Sequence, residues 1–153
     1  EAEEVARRSV EEQLRKGLLE RNSLEAPRSL VDRQIVSMIE GTANRLVSQG
    51  VDLKKVNMDF DKMRERFAPN ADRTVRLSLL LSAIAEKEDI DVPFSEIEAE
   101  MKEMASRGGI EDEKIRELYG DEERMDNLRN GLLDRKVMAF LLENAEVKEE
   151  VAG

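Results

Sequence analysis

The sequence predicts an all-α protein built as two lobes, and three observations carry that reading. Apolar residues recur at helical spacing from end to end, and no segment alternates as a strand would. Three Pro and eight Gly leave long stretches free to be helical. The apolar faces are also wider than one contact needs. From Leu30 to Val47, at about 100° per residue, Val31, Met38, Ile35, Leu46, Ile39, Ala43, Val36 and Val47 cover roughly half the circumference. A helix packed on one core needs a stripe of about 100°.

Glu3 to Arg21 reads as the first helix. Val10, Leu14 and Leu18 share one face, and Glu11, Glu12, Arg15 and Lys16 fill the other side. Its start has neither a good cap nor a hydrophobic staple, as in a helix cut from something longer. Pro27 then biases Ala26 away from helix. Ser29 is the expected cap of a second helix, which ends at Gln49 with Gly50 as its C′ residue. Gly41 costs about 1 kcal/mol relative to Ala and marks a candidate bend.

Asp52 to Val56 reads as a short turn or one helical turn, and Asp59 opens a segment with Phe60, Met63 and Phe67 on a narrow stripe. Ala68 and Pro69 are expected to interrupt it before helix resumes from Asn70 to Lys87. Beyond Val75 the character changes. Leu77, Leu79, Leu80, Leu81 and Ile84 surround the axis, so this half is expected to be buried on several sides.

Asp89 to Pro93 is a linker. Ser95 and Glu98 suggest a capping box for a helix with Ile97, Met101 and Met104 on its apolar face, ended by Gly108 and Gly109. A short helix follows from Asp112 to Tyr119, stopped by Gly120. Asp121 caps the last helix, which is expected to reach Glu143. Its first half is one-sided through Met125, Leu128 and Leu132. Its second half, with Leu133, Val137, Met138, Phe140, Leu141 and Leu142, is apolar nearly all round. The expected organisation is a first helix and connection (1–26), a first lobe (27–88), a second lobe (89–144) and a polar tail (145–153). Leu80, Leu81, Ile84, Val137, Leu141 and Leu142 are the expected buried residues.

Composition excludes much. The formal net charge is −10, which repels phosphate backbones and anionic membranes, and 3% aromatic residues offer few platforms for stacking bases. No nucleic-acid contact by this chain and no membrane association are expected. No run of about 18 apolar residues exists to span a bilayer. With no Cys there are no disulfides, thiol catalysis or zinc thiolates, which is compatible with the cytoplasm.

Reactive chemistry is equally sparse. Most carboxylates stand three or four residues from Lys or Arg, as in Glu111-Asp112-Glu113-Lys114, which reads as a solvated helix face and not as an acid–base pair. Without His, the Glu-x-x-His di-metal pattern of helical bundles is impossible. Asp59-Phe60-Asp61 and Asp89-Ile90-Asp91 lack the remaining ligands of a calcium loop. Gly108-Gly109 is a turn, since no Lys-Ser/Thr follows it. No catalytic residue, no metal and no cofactor is expected. The seven methionines are more informative. Met suits surfaces that accommodate many shapes. Core packing accounts for Met138, whereas Met38, Met63, Met101 and Met104 lie on the one-sided parts, where an apolar strip can bind.

Glu103-Met104-Ala105-Ser106, then Ile115-Arg116-Glu117-Leu118-Tyr119, then Met125-Asp126-Asn127-Leu128-Arg129-Asn130 resembles trigger factor, the family of bacterial ribosome-associated chaperones. Ala71-Asp72-Arg73-Thr74-Val75-Arg76-Leu77-Ser78-Leu79-Leu80-Leu81 is similar to the family's Ala-x-x-Arg-Val-x-x-Gly-Leu-x-Leu stretch, with Ser78 at the Gly position. Leu141 to Val147 resembles its end, and Leu19-Glu20-Arg21-Asn22, Pro27 and Leu30-Val31 resemble the approach to its first arm. No single motif is specific; the ordered set is. Pro69 departs from the pattern, because the family runs helix through that point.

The resemblance covers the family's C-terminal chaperone domain. It implies a helical body with two helical arms forming a cradle, and an ATP-independent chaperone module for unfolded or nascent polypeptides. The ribosome would be reached through an N-terminal domain and prolyl isomerase activity supplied by another domain, both expected to lie outside this chain. A cytoplasmic location follows from the same resemblance. The client surface expected on the outer, one-sided helices is Met38, Leu46, Phe60, Met63, Phe67, Met101, Met104 and Met125. Two other readings stay open at this point: a scaffold for one folded partner, and the chaperone module of periplasmic parvulin-linked proteins.

Overall fold

The computed structural model describes the backbone of residues 1–152 and the side chains of residues 1–145. Six helices follow one another: α1 (Ala2–Arg21), α2 (Arg28–Ser48), α3 (Phe60–Lys87), α4 (Phe94–Gly108), α5 (Asp112–Leu118) and α6 (Glu122–Ala152). Among the described residues there is no strand, and the fold is all-α. Helix α6 runs past Glu143 to Ala152, because no Pro or Gly intervenes before Gly153. The side chains of the expected polar tail beyond Ala145 lie outside the described residues.

Several helix ends follow the local signals. Asp59 Oδ1 accepts from the Lys62 N–H at 3.1 Å, and Asp121 Oδ1 from the Glu123 N–H at 3.1 Å, so both carboxylates cap helix starts. Helix α2 ends in a Schellman motif. Gly50 takes φ 82°, its N–H reaches Val47 O at 2.9 Å, and the Val51 N–H reaches Leu46 O at 3.0 Å. Gly109, at φ 60°, closes α4 in the same way, with the Ile110 N–H on Ala105 O at 3.0 Å. Asp89 does this for α3 without being Gly: φ is 54°, and the Ile90 N–H meets Ala85 O at 2.9 Å. Aspartate tolerates this left-handed region better than most L-residues.

Two expected caps are corrected. Neither Ser29 nor Ser95 caps its helix. The caps are Pro27 and Pro93, without a side-chain hydrogen bond, so both serines fall inside the first turn. The prolines hold the required φ, −56° and −67°, with extended ψ. Their carbonyls accept the first helical bonds, from Leu30 and Val31 in α2 and from Glu96 in α4.

Pro69 is the larger correction. It lies inside α3, and the helix runs through it. Proline there lacks an N–H for the Glu65 carbonyl and crowds it, at a cost of about 3 kcal/mol. Ala71 and Val75, 0% and 8% exposed, anchor the helix just beyond it, and this tertiary burial overrides the local penalty. Pro69 itself is exposed. Pro69→Ala is therefore expected to raise the stability by about 1–3 kcal/mol, less the unfolded-state stiffness lost with the ring, as read by chemical denaturation. An unchanged or lowered midpoint would show that the helix gains nothing there.

The chain forms two compact units, residues 1–11 with 81–153, and residues 12–80. The division falls inside α3, after Leu80. The 12–80 unit holds the second half of α1, all of α2 and α3 as far as Leu80. Ile35, Ala71 and Val75 are its buried apolar residues. Arg73 Nη2 donates to Glu12 Oε1 at 2.7 Å, tying α3 to α1. Leu14 and Leu18 are half-buried, but Val10 is 41% exposed, so the first helix's face is less covered than its pattern predicts.

In the 81–153 unit the core has a simple origin. Ile97, Met101 and Ala105 repeat every four residues along α4 and pack with Val92 and Ile115. Tyr119, Met125, Leu128, Leu132 and Leu133 close over them from the end of α5 and from α6. Lys136 Nζ fastens the approach to α4, donating to Asp91 O at 2.6 Å and Glu96 Oε1 at 2.9 Å. Of the expected buried residues, Leu81, Val137 and Leu142 are buried, while Leu80, Ile84 and Leu141 are half-buried.

Candidate functional site

The broad apolar face of α2 is covered in part. Ile35 is buried at its centre, and Val31, Met38, Ile39, Ala43 and Leu46 are half-buried around it. Val36 and Val47 stand 42% and 54% exposed. This gradient explains why the face exceeds a single-contact stripe: its margins are left to solvent. Thr42 adds little polarity, since its hydroxyl donates back to Met38 O at 2.9 Å. At the start of α3, Phe60 is 55% exposed and Met63 and Phe67 are half-buried. Five of the eight expected surface residues, Met38, Leu46, Phe60, Met63 and Phe67, thus belong to the 12–80 unit and keep open apolar area.

The other three lie in the 81–153 unit. Met104 and Met125 are half-buried. Met101 is corrected: at 6% exposed it is part of the core, because its face of α4 is the one that packs on Val92 and Ile115. Met101 and Met125 nonetheless meet. Both line a cleft of 460 Å³ together with Phe94, Glu98, Arg116, Tyr119, Asp126 and Arg129. Two methionines and two aromatic residues stand among its lining side chains. Four of its charged lining residues sit in loose ion pairs, Arg116–Glu98 at 3.8 Å and Arg129–Asp126 at 3.6 Å, which contribute little stability.

Sequence reasoning did not pick out Phe94 and Tyr119. Each adjoins a residue at a helix boundary, Pro93 before α4 or Gly120 after α5. The available signal was rarity, since the chain has four Phe and one Tyr. Exposed Ile110 and Leu118, at 46% and 48%, were missed in the same way. No group of three or more His, Cys, Asp or Glu able to hold a metal occurs among the described residues. No described helix is long and apolar enough to cross a membrane. What the arrangement can do is cover apolar side chains that come from elsewhere.

Residues 1–143 match the family described as bacterial trigger factor protein (TF) C-terminus. This chain belongs to the trigger factor C-terminal family. It is 41% identical over 152 residues to trigger factor of Citrifermentans bemidjiense, covering 97% of this chain and 35% of that protein. Trigger factor of Geobacter sp. strain M21 is 38% identical over the same length, again with 35% of the relative covered. A solved structure of trigger factor domains from Thermotoga maritima superposes with a TM-score of 0.59 at 25% identity, covering 89% of this chain and 81% of that one. The chain spans 35% of the length of these first two relatives. The ordered motifs read from the sequence therefore identify the family correctly, and trigger factor membership displaces the parvulin-linked reading.

Proposed function

We propose that this chain is the polypeptide-holding module of a trigger factor: an ATP-independent chaperone element that binds unfolded or nascent chains on its open apolar helix faces. The observation that carries this reading is the half-open α2 face with the exposed Phe60 beyond it. A large client side chain gains about 1.5–3 kcal/mol on full burial. Half-open faces return a fraction of that, so several contacts together give weak, rapidly exchanging binding, as a holder of many clients requires. The net charge of −10 keeps such surfaces from associating with one another.

Open apolar residues occur in both units, on α1, α2, α3, α4 and α5. A scaffold for one folded partner would be served by a single complementary patch, which makes the holding role the better account. The chain itself is proposed to be non-enzymatic, since the C-terminal family accounts for residues 1–143. Ribosome docking and prolyl isomerisation are assigned to other parts of a full-length trigger factor, working in the cytoplasm.

The test uses this chain alone. It is expected to suppress light scattering from a chemically unfolded client on dilution, at near-stoichiometric amounts and without nucleotide. It is also expected to leave the isomerisation rate of a Pro-containing peptide at the uncatalysed value. Unaltered aggregation at a large excess of the chain would refute the holding role.

A further inference from the structure

Met125 in the cleft of the 81–153 unit offers a chemistry that holding does not use. It is half-buried and lines the open cleft beside Tyr119. The chain has no Cys, Trp or His, so its seven thioethers are its most readily oxidised side chains. Met101 and Met138, each 6% exposed, are shielded by packing. Arg129 follows Met125 by four residues on α6, hence on the same face one turn on, and lines the same cleft. Its guanidinium stands 3.6 Å from Asp126, beyond the about 2.7–2.9 Å of a strong charge-assisted bond, so it keeps N–H donors to offer.

We propose that Met125 is a site of reversible oxidation by peroxide, with Arg129 positioned to hold the resulting sulfoxide over the cleft. In the forward step the sulfur lone pair attacks one peroxide oxygen. The S–O bond forms, the O–O bond breaks, and the departing oxygen leaves as water after proton transfer. Sulfur loses two electrons and hydrogen peroxide gains them. The reverse step takes two electrons from the dithiol of a methionine sulfoxide reductase, releasing the oxygen as water. The product places a polar acceptor where an apolar thioether had been, beside Tyr119 and Phe94, and an arginine donor is at hand to fix it there. The cleft would then accept apolar side chains less well. That consequence rests on the holding role proposed above; the oxidation site itself does not.

The cleft carries its own reporter, because Tyr119 is the sole tyrosine and no tryptophan masks it. The intact chain is treated with limiting hydrogen peroxide and followed by peptide mass spectrometry and tyrosine fluorescence. Met125 is expected to oxidise at least about tenfold faster than Met101 and Met138. The fluorescence should change in step with Met125, revert with a methionine sulfoxide reductase and dithiol, and stay constant in Met125→Leu. In Arg129→Gln the sulfoxide should form but shift the fluorescence differently. Equal oxidation of Met125, Met101 and Met138, or the same fluorescence change in Met125→Leu, would overturn the proposal. If untreated chain fails to hold clients, the holding role falls, while mass and fluorescence still decide the oxidation site.

Discussion

Leu81→Ala is expected to lower the unfolding free energy by about 2–5 kcal/mol, the range for truncating a large core side chain. Leu81 is 2% exposed, and Ala85 one turn on is 3% exposed, so this stretch of α3 has little room to collapse around a deleted isobutyl group. The loss comprises the transfer energy of the removed carbons and the cavity they leave. Ser82→Ala, at an exposed position next to it, is expected to stay within about 0.5 kcal/mol. Urea unfolding followed by far-ultraviolet circular dichroism measures both. An unchanged midpoint for Leu81→Ala would mean that this segment is not part of the core.

Much of the fold could be read locally, and the failures have physical reasons. Asp59, Asp121, Gly50 and Gly109 mark helix ends because their chemistry acts on the backbone within a turn. Ser29 and Ser95 carry equally good cap chemistry, yet each lies two residues after a proline that takes the cap position first. Pro69 breaks the local rule for the opposite reason: a penalty of about 3 kcal/mol is outweighed by burial that no local window contains.

The surface was harder to read than the helices. Periodicity identified the apolar face of α4 but not what packs on it, so Met101 looked like Met104 although one is core and the other half-open. The cleft of the 81–153 unit was not legible as a unit. Phe94, Tyr119 and Met125 are brought together from the start of α4, the end of α5 and the start of α6, and sequence spacing says nothing about that meeting. By contrast, the open margin of α2 was legible, because a face of half the circumference exceeds what one partner can cover.

That contrast separates holding from stability. The combined change Met38→Gln, Phe60→Ser and Met63→Gln is expected to weaken suppression of client aggregation several-fold. It should move the unfolding free energy by about 1 kcal/mol, since Phe60 is 55% exposed and the two methionines are half-buried. Met101→Gln should do the reverse. It places an amide in the packed cluster of Val92, Ile97, Ala105 and Ile115, costing about 2–5 kcal/mol, while the α2 and outer α3 faces stay chemically intact. Measured below its own unfolding midpoint, Met101→Gln should hold clients through those faces nearly as well as the unaltered chain. Single changes at Leu46, Phe67, Met104 and Met125 then rank the remaining positions. If the triple variant melts early and holds clients normally, the three residues are core and the proposed surface lies elsewhere. If it melts normally and loses holding, the open apolar area of α2 and α3 is where clients are bound.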